Sequence, residues 1–317
     1  MPLDHYISQV YLKNFCPPEH ENNLLTIRKT DLHKFMAHTK TVCRVDNGST
    51  NPYLLDERAV EDFLKTIEPK YNKALNKVID DNIDEECIYV IAGLIVYILT
   101  CSPAGMRLRS EPPRRLVETT VKMLDSKGML PLSPPELGVK KITELLNEGS
   151  LKIEIDSKYP QAIGISMISD LIKAYVNSKW DILFNPFKNS PFFTSDYPIA
   201  IERVNKSYLI NKIIPLSPWL AIKINPNIEY DEKSIKNIPF KNFEYRRQDL
   251  KHSEVIEINK LLVRCAEHLV FYHKELEWIP KFVADNANFR IETKSKLINN
   301  GNGNTLIHMS EEIVRIY

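Results

Sequence analysis

The amino-acid sequence predicts a helix-rich α+β protein, with a central helical bundle and a small antiparallel or mixed sheet formed mainly by residues 180–225 and 23–45. Two observations predict this class. Between residues 55 and 177, apolar side chains recur every three or four positions, which is the period of amphipathic helices. From residue 180 onwards, short runs of β-branched and aromatic residues are separated by turn residues, as in β-strands.

The length of the chain allows one large core. With 317 residues, 43% of them hydrophobic, the chain is long enough for one or two domains. We expect a single domain over residues 1–317 with two lobes. Residues 1–178 form the mostly helical lobe, and residues 179–317 form a lobe of strands followed by a C-terminal helix.

The N-terminal segment predicts a short amphipathic helix followed by two strands. Apolar residues stand at helical intervals between Leu3 and Phe15, and two prolines end the helix. His5 and Gln9 are four residues apart and are therefore expected on one face of this helix. The segments 24–28 and 35–45 have the composition of short strands.

The middle of the chain predicts a helical bundle. Its first helix spans Leu55–Ile79 and can be kinked by Pro69. The uncharged segment Cys87–Met106 approaches the roughly 20 residues of a bilayer helix, but Ser102 and Pro103 interrupt it, so we expect a buried core helix and no membrane contact. The following elements are a loop at 107–113 and helices at 114–124, 135–147 and 160–177.

The second half of the chain predicts strands and one long helix. Ser253 is expected to cap a helix that continues to Tyr272, because apolar residues recur at helical spacing between them. The predicted strands are the short apolar runs at 180–184, 192–194, 199–201, 208–210 and 220–224.

Charge and cysteine content restrict the classes of function. The 42 basic and 41 acidic residues leave a formal charge of +1, so nucleic acid would have to bind at a local patch. Five cysteines, an odd number without short paired spacing, do not form a disulfide framework and favour a reducing compartment. The N-terminus lacks the pattern of a secretory signal. We therefore expect a soluble, cytoplasmic protein, whose oligomeric state the sequence leaves open.

The opening segment carries a family resemblance. Its pattern of His5-Tyr6, Gln9, Tyr11-Leu12 and Phe15 resembles the bacterial domain of unknown function family 4238. Similar positions follow along nearly the whole chain, at Glu68, Arg107, Thr194–Pro198, Asn259 and Ala266. The resemblance implies common descent and assigns no chemistry.

Five polar residues are candidates for catalysis. His5 titrates near neutral pH and Gln9 can orient it or bind a substrate, although both can equally tie the N-terminal segment to the core. Glu68 borders an apolar helix face and can be either an enclosed acid or a solvated helix charge. Asp196 can act as an acid or ligand, or close an Asx-turn. Asn259 lies between apolar residues and can serve the backbone instead.

Phosphate and metal binding are considered separately. Arg107, Arg109, Arg114 and Arg115 lie within nine positions and suit an anion-binding patch, with a solvated loop as the alternative. Ser195 is a candidate substrate-binding residue, but no glycine-flanked elbow marks it as a nucleophile. The cysteine and histidine spacings do not predict a zinc site. Whether another divalent metal binds is left open by the sequence.

These candidates together suggest an enzyme. We expect His5 and Asp196 to act as acid, base or ligand, and arginines to hold the phosphate of a nucleic acid or nucleotide, as in a nuclease-like hydrolase. The alternative is a non-catalytic binding or regulatory protein of a bacterial defence or stress module. The two hypotheses differ in whether His5, Glu68, Asp196 and Asn259 converge on an open cleft.

Overall fold

The computed structural model describes residues 3–204, 209–226, 243–299 and 305–316. Within these ranges the chain forms helices together with several small sheets whose strands are nearly all antiparallel, so the predicted α+β class is confirmed. The organisation into one domain with two lobes stays a prediction.

The N-terminal segment begins as a strand. Strand β1 (Leu3–His5) pairs antiparallel with β4 (Arg44–Asp46), and helix α1 (Gln9–Lys13) follows it. The prediction of one helix containing both His5 and Gln9 is therefore wrong. The backbone around His5 is held by a segment distant in sequence, as when Tyr6 N donates to Cys43 O at 2.9 Å. Local periodicity contains no information about such a partner.

The predicted long helix at Leu55–Ile79 is present in two parts. Helix α2 (Ala59–Ile67) and helix α3 (Tyr71–Ile79) are joined by a 3₁₀ turn, Glu68–Lys70. The turn contains Pro69, so the predicted interruption at this proline is confirmed. Helix α4 (Glu85–Cys101) comes next and is buried along almost its whole length from Cys87, as expected of a core helix.

Helix α5 (Pro103–Ser126) runs through the region predicted to be a loop. The prediction of a loop at 107–113 is wrong, although Pro112 and Pro113 lie inside the helix. Pro112 has no N–H for the carbonyl of Leu108 four residues earlier. The hydroxyl of Thr293 donates to this carbonyl at 3.0 Å, so a distant residue replaces the missing helical bond.

A sharp bend separates α4 and α5. Ser102 caps α5 by accepting a hydrogen bond from Gly105 N at 3.1 Å, and the two helices meet at 64°. Among the described residues, no single helix has the length and apolar composition to cross a membrane, and this bent pair meets those criteria only in combination.

The remaining helices of the first half are shorter than predicted. The segment at 135–147 contains a 3₁₀ turn and a separate helix, and the segment at 160–177 is divided at Met167. The elements are the 3₁₀ turn Pro135–Leu137 and the helices α6 (Ile142–Glu148), α7 (Lys158–Ser166) and α8 (Ile168–Val176).

The two predicted strand regions belong to different sheets. One is a mixed sheet in which β10 (Tyr245–Asp249) is parallel to β5 (Lys179–Phe184) and the other neighbours are antiparallel. Its order is β10-β5-β9-β8-β7, with β7 at Ala200–Arg203, β8 at Ile210–Ser217 and β9 at Leu220–Asn225. Tyr208, which begins one predicted strand, lies outside the described residues.

The second sheet is antiparallel. Its order is β3-β2-β11-β6, formed by β3 (Lys34–His38), β2 (Asn23–Arg28), β11 (Leu269–Tyr272) and β6 (Thr194–Ser195). The predicted helix from Ser253 to Tyr272 is thus only partly correct, because helix α9 (His252–Cys265) ends before β11. Pairing of residues 269–272 with β2 decides this boundary.

The C-terminal region adds a helix and a hairpin that the sequence did not reveal. Helix α10 (Ile279–Asn286) precedes the long antiparallel strands β12 (Phe289–Asn299) and β13 (Thr305–Arg315). One extensive hydrophobic core cluster includes residues of α4, of the mixed sheet and of α9.

Candidate functional site

An open cleft of about 560 Å³ lies beside the N-terminal strand and brings together three predicted residues. His5 comes from β1, Gln9 from the start of α1, and Glu68 from the 3₁₀ turn between α2 and α3. The other lining residues are Leu3, Asp4, Ser8, Val10, Lys13, Ser49, Glu61, Leu64 and Asn72. The cleft is therefore largely polar and is built from elements that are distant in sequence.

The imidazole of His5 is held in one orientation. Its Nε2 lies 3.1 Å from the carbonyl oxygen of Thr39, which can only accept, so Nε2 carries the proton of the neutral ring. Burial lowers the pKa of His5, and the Thr39 carbonyl partly offsets this effect. The hydroxyl of Tyr97 donates to the His5 carbonyl and also fixes the backbone. A neutral imidazole with its lone pair on Nδ1 is a suitable general base.

The carboxylates of the cleft have different surroundings. Asp4 accepts from Ser49 N at 3.0 Å and pairs with Arg58 at 3.3 Å. Glu61 also pairs with Arg58, whose Nε lies 2.8 Å from it. The side-chain carboxylate of Glu68 makes no hydrogen bond or ion pair with the residues that the structure describes, although its charge raises the pKa of His5. Glu68 is thus the carboxylate left for a ligand.

Comparison with known proteins supplies a family. A model of the family described as "Protein of unknown function (DUF4238)" matches residues 4–275. The chain belongs to the DUF4238 family. This match confirms the resemblance seen in the opening segment, and it contains all of the cleft residues except Leu3. No curated protein and no solved structure matches the chain.

Asp196 of this DUF4238 protein lies away from the cleft and binds backbone. Its two carboxylate oxygens accept from Glu267 N at 2.9 Å and from His268 N at 2.8 Å, in the connection between α9 and β11. Lys29 binds the same connection through the carbonyl of Ala266 at 2.6 Å. Burial raises the pKa of Asp196 to about 6. These contacts give Asp196 a structural role, and it does not join His5 in one site.

Asn259 is also occupied by backbone groups. Its Oδ1 accepts from Phe193 N at 2.9 Å and its Nδ2 donates to Pro191 O at 2.9 Å, with the side chain fully buried. The amide therefore binds the segment before β6 to helix α9. Asn259 is not among the residues that line the cleft with His5, and a catalytic role for it stays a prediction.

Ser195 and its neighbour Thr194 are buried in β6. Ser195 Oγ accepts from Tyr197 N at 3.2 Å, which is the local bond of a serine turn. The N-terminal segment meets this region through its buried face. Tyr11 OH lies 2.8 Å from Thr194 Oγ1, whereas His5 and Gln9 face the cleft. A substrate-binding role for Ser195 finds no support in these contacts.

Three of the four arginines of α5 are paired with glutamates. Arg107 binds Glu267 through two bonds of 3.1 and 2.8 Å, with Glu292 at 3.2 Å as a further partner. Arg109 donates to the Leu99 carbonyl at 3.2 Å. Arg114 and Arg115 both form salt bridges with Glu111 and Glu118. Three of the four arginines in the expected anion-binding patch are therefore neutralised by glutamates, and Arg109 is held by a backbone carbonyl.

Metal ligands do not cluster in the described parts of the chain. Across residues 3–204, 209–226, 243–299 and 305–316, no group of three or more histidines, cysteines or acids is arranged to hold a metal ion. No residues can therefore be named for the divalent metal that the sequence left open.

A second cavity, about 480 Å³, lies between α9 and the mixed sheet, but each of its charged residues has a partner. Glu254 accepts from Lys251 N at 2.7 Å and Glu257 pairs with Lys260 at 3.1 Å. Asp181 pairs with Arg246 and Glu202 pairs with Lys223. The N-terminal cleft differs because it retains the unpaired Glu68 and an oriented imidazole. We therefore take the N-terminal cleft as the candidate functional site.

Several cleft residues were missed by reasoning from sequence. Ser8 stands between His5 and Gln9, so its position in the same segment was an available signal. Asp4 and Lys13 flank that segment, but charged residues near a terminus are most often solvated. Asn72 reaches the cleft because α3 packs beside α1, and Glu61 lines it from α2, which the 3₁₀ turn joins to α3.

Proposed function

We propose that this DUF4238 protein is an enzyme that performs general acid–base chemistry on a small polar substrate in the N-terminal cleft. His5 is the base. The observation that carries the proposal is that His5 lines an open cleft together with Gln9 and Glu68 while its tautomer is set by the Thr39 carbonyl.

The chemistry follows from these surroundings. Because burial lowers its pKa, His5 is neutral near pH 7 and accepts a proton from a substrate or from water. The Thr39 carbonyl then stabilises the positive ring through Nε2–H. Gln9 supplies an amide that can donate to a substrate oxygen and accept from a substrate nitrogen.

A nuclease-like hydrolase acting on nucleic acid or another phosphate-bearing substrate is a narrower form of this proposal. The residue types that suggested it are present, but Arg107, Arg109 and Arg114 are engaged with acids or backbone. Lys13 is the cation that lines the cleft, beside three carboxylates. Phosphate is therefore a poorer fit than a neutral or positively charged group.

The alternative function is a non-catalytic binding or regulatory protein, as in a bacterial defence or stress module. One observation favours it. Asp196, Asn259 and Arg107, which sequence reasoning grouped with catalysis, all bind structural partners. In this alternative His5 contacts a ligand without exchanging a proton with it.

The proposal is tested with the full chain and variants His5→Gln and His20→Gln, the second being a control outside the cleft. Substrates are p-nitrophenyl acetate, bis-p-nitrophenyl phosphate, amino-acid p-nitroanilides, and labelled single-stranded DNA and RNA. We expect His5→Gln to lower turnover by at least about 100-fold with an unchanged melting temperature, because a general base contributes that much. His20→Gln should keep full activity.

Nuclear magnetic resonance provides an independent readout. The His5 ring protons, assigned by their absence in His5→Gln, should titrate below the ordinary histidine value of about 6.5. Titration at or above that value, together with equal turnover in His5→Gln and the native protein, would show that His5 is not the base. Cleavage of the phosphodiester substrates would support the nuclease form.

A further inference from the structure

Ser8 places a buried hydroxyl without a partner at the wall of the cleft. The residue precedes α1 at the N-cap position, yet its side chain makes no capping bond. Its Oγ has no hydrogen-bond partner, and only 1% of the residue is exposed. A buried hydroxyl without a hydrogen-bond partner destabilises the fold, so a ligand that hydrogen-bonds to it recovers this free energy.

Glu68 gives the same cleft one carboxylate in excess. Arg58 pairs with both Asp4 and Glu61, so its single positive charge offsets only one of these two carboxylates. Lys13 lines the cleft as an exposed side chain, and no ion pair joins it to Glu68. A carboxylate that faces a partly enclosed polar cleft without a partner attracts a cation and rejects an anion.

We propose that the ligand of the cleft carries a cationic nitrogen, an amine or a guanidinium, which Glu68 binds, and a polar atom that hydrogen-bonds to Ser8 Oγ. This inference rests on the proposed function and specifies its substrate class. Carboxylate and guanidinium or ammonium form charge-assisted hydrogen bonds, which are stronger than neutral ones. The polar groups of Gln9 and Asn72 line the same cleft and complete a site for a small polar molecule.

Ligand binding should also act on His5. The negative charge of Glu68 raises the pKa of His5 in the free protein. A bound cation cancels this charge, so the imidazole stays neutral when the substrate is present. A cationic ligand therefore leaves His5 in the protonation state that a general base requires.

The test compares pairs of small molecules that have similar shapes and different charges. L-arginine is paired with L-citrulline, and L-lysine with L-norleucine. Binding is measured by calorimetry and by chemical-shift changes at His5, in the full chain and in Glu68→Gln, Ser8→Ala and the control Glu19→Gln, which replaces an exposed carboxylate outside the cleft. Because Ser8 makes no capping bond, Ser8→Ala is expected to fold normally.

We expect the cationic member of at least one pair to bind about 10-fold more tightly than its neutral partner, with dissociation constants near 1 mM. Glu68→Gln should abolish this preference and Glu19→Gln should keep it. Ser8→Ala should weaken the cationic and neutral members equally. Binding should also move the His5 pKa downwards in the native protein and leave it unchanged in Glu68→Gln.

Three results would overturn the inference. They are equal binding of cationic and neutral members, a preference that persists in Glu68→Gln, and no binding of either cation. The experiments distinguish failure of this inference from failure of the proposed function. His5-dependent turnover of a neutral substrate without charge preference would contradict only the inference. Cation binding that requires Glu68, with turnover unaffected by His5→Gln, would contradict only the enzymatic proposal.

Discussion

Replacing Asn259 with alanine tests whether this residue is structural or catalytic. In the native protein its amide satisfies Phe193 N and Pro191 O, each at 2.9 Å, inside a fully buried environment. Asn259→Ala leaves both backbone groups buried without partners. Water is excluded from this position, so neither group is compensated by solvent.

The magnitude follows from the two lost bonds. Each unsatisfied buried group costs about 1–3 kcal/mol, so Asn259→Ala should lower the free energy of unfolding by about 3 kcal/mol, within a range of about 2–6. This is a large part of the roughly 5–15 kcal/mol that stabilises a typical protein. The measurement is urea unfolding followed by tryptophan fluorescence. Asn76→Ala, at an exposed position on α3, should change stability by less than about 0.5 kcal/mol.

The variant Asn259→Asp adds a pH signature. A protonated carboxyl can accept from Phe193 N and donate to Pro191 O, as the amide does, but an ionised carboxylate faces the Pro191 carbonyl without a donor. Burial raises the folded-state pKa of the introduced carboxyl above the unfolded value of about 3.9. Its stability should therefore fall as pH rises through that window and should be close to that of the native protein only in acid.

A clear result would refute this reasoning. If Asn259→Ala and Asn76→Ala unfold at the same urea concentration, the two hydrogen bonds do not stabilise the fold. If Asn259→Ala kept the native stability and abolished an activity that His5→Gln also abolishes, these results would support the catalytic role predicted for Asn259.

Two other predictions concern stability. Because burial raises the pKa of Asp196 to about 6, the folded protein retains a proton that the unfolded chain has lost, so stability should fall between about pH 4 and pH 6. Urea unfolding of Asp196→Asn at several pH values should not show this fall in stability. The same pH dependence of stability in the variant and the native protein would contradict the prediction. Gly105→Ala should lower stability by about 2 kcal/mol in thermal unfolding, since its Cβ would lie 2.2 Å from the Leu99 carbonyl oxygen. An unchanged melting temperature would show that the bend between α4 and α5 adjusts to accommodate the added methyl group.

The helices with strong apolar periodicity were predictable from sequence. The core helix beginning near Cys87 and the interruption at Pro69 follow from local composition, because helix formation and proline geometry depend on near neighbours. The same reasoning failed at Pro112 and Pro113. There the helix continues because Thr293, far along the chain, satisfies the freed carbonyl of Leu108.

The candidate site was predictable in part. His5, Gln9 and Glu68 were selected as polar residues beside apolar segments, and they meet in the cleft. Asp196 and Asn259 were selected on the same grounds but bind backbone. A polar residue in an apolar context indicates that a partner exists, and sequence alone does not distinguish a ligand from a backbone group.

The sequence by itself determined the α+β class, the core helix and the family, because these depend on periodicity, composition and a chain-long pattern of residues. The tertiary structure decided that residues 3–5 form a strand, that Arg107 pairs with Glu267 and Glu292, and that Ser8 and Glu68 share a cleft with His5. Each of these depends on contacts between segments far apart in the chain. Such contacts set the protonation of His5 and leave Glu68 unpaired, and both properties underlie the proposed chemistry.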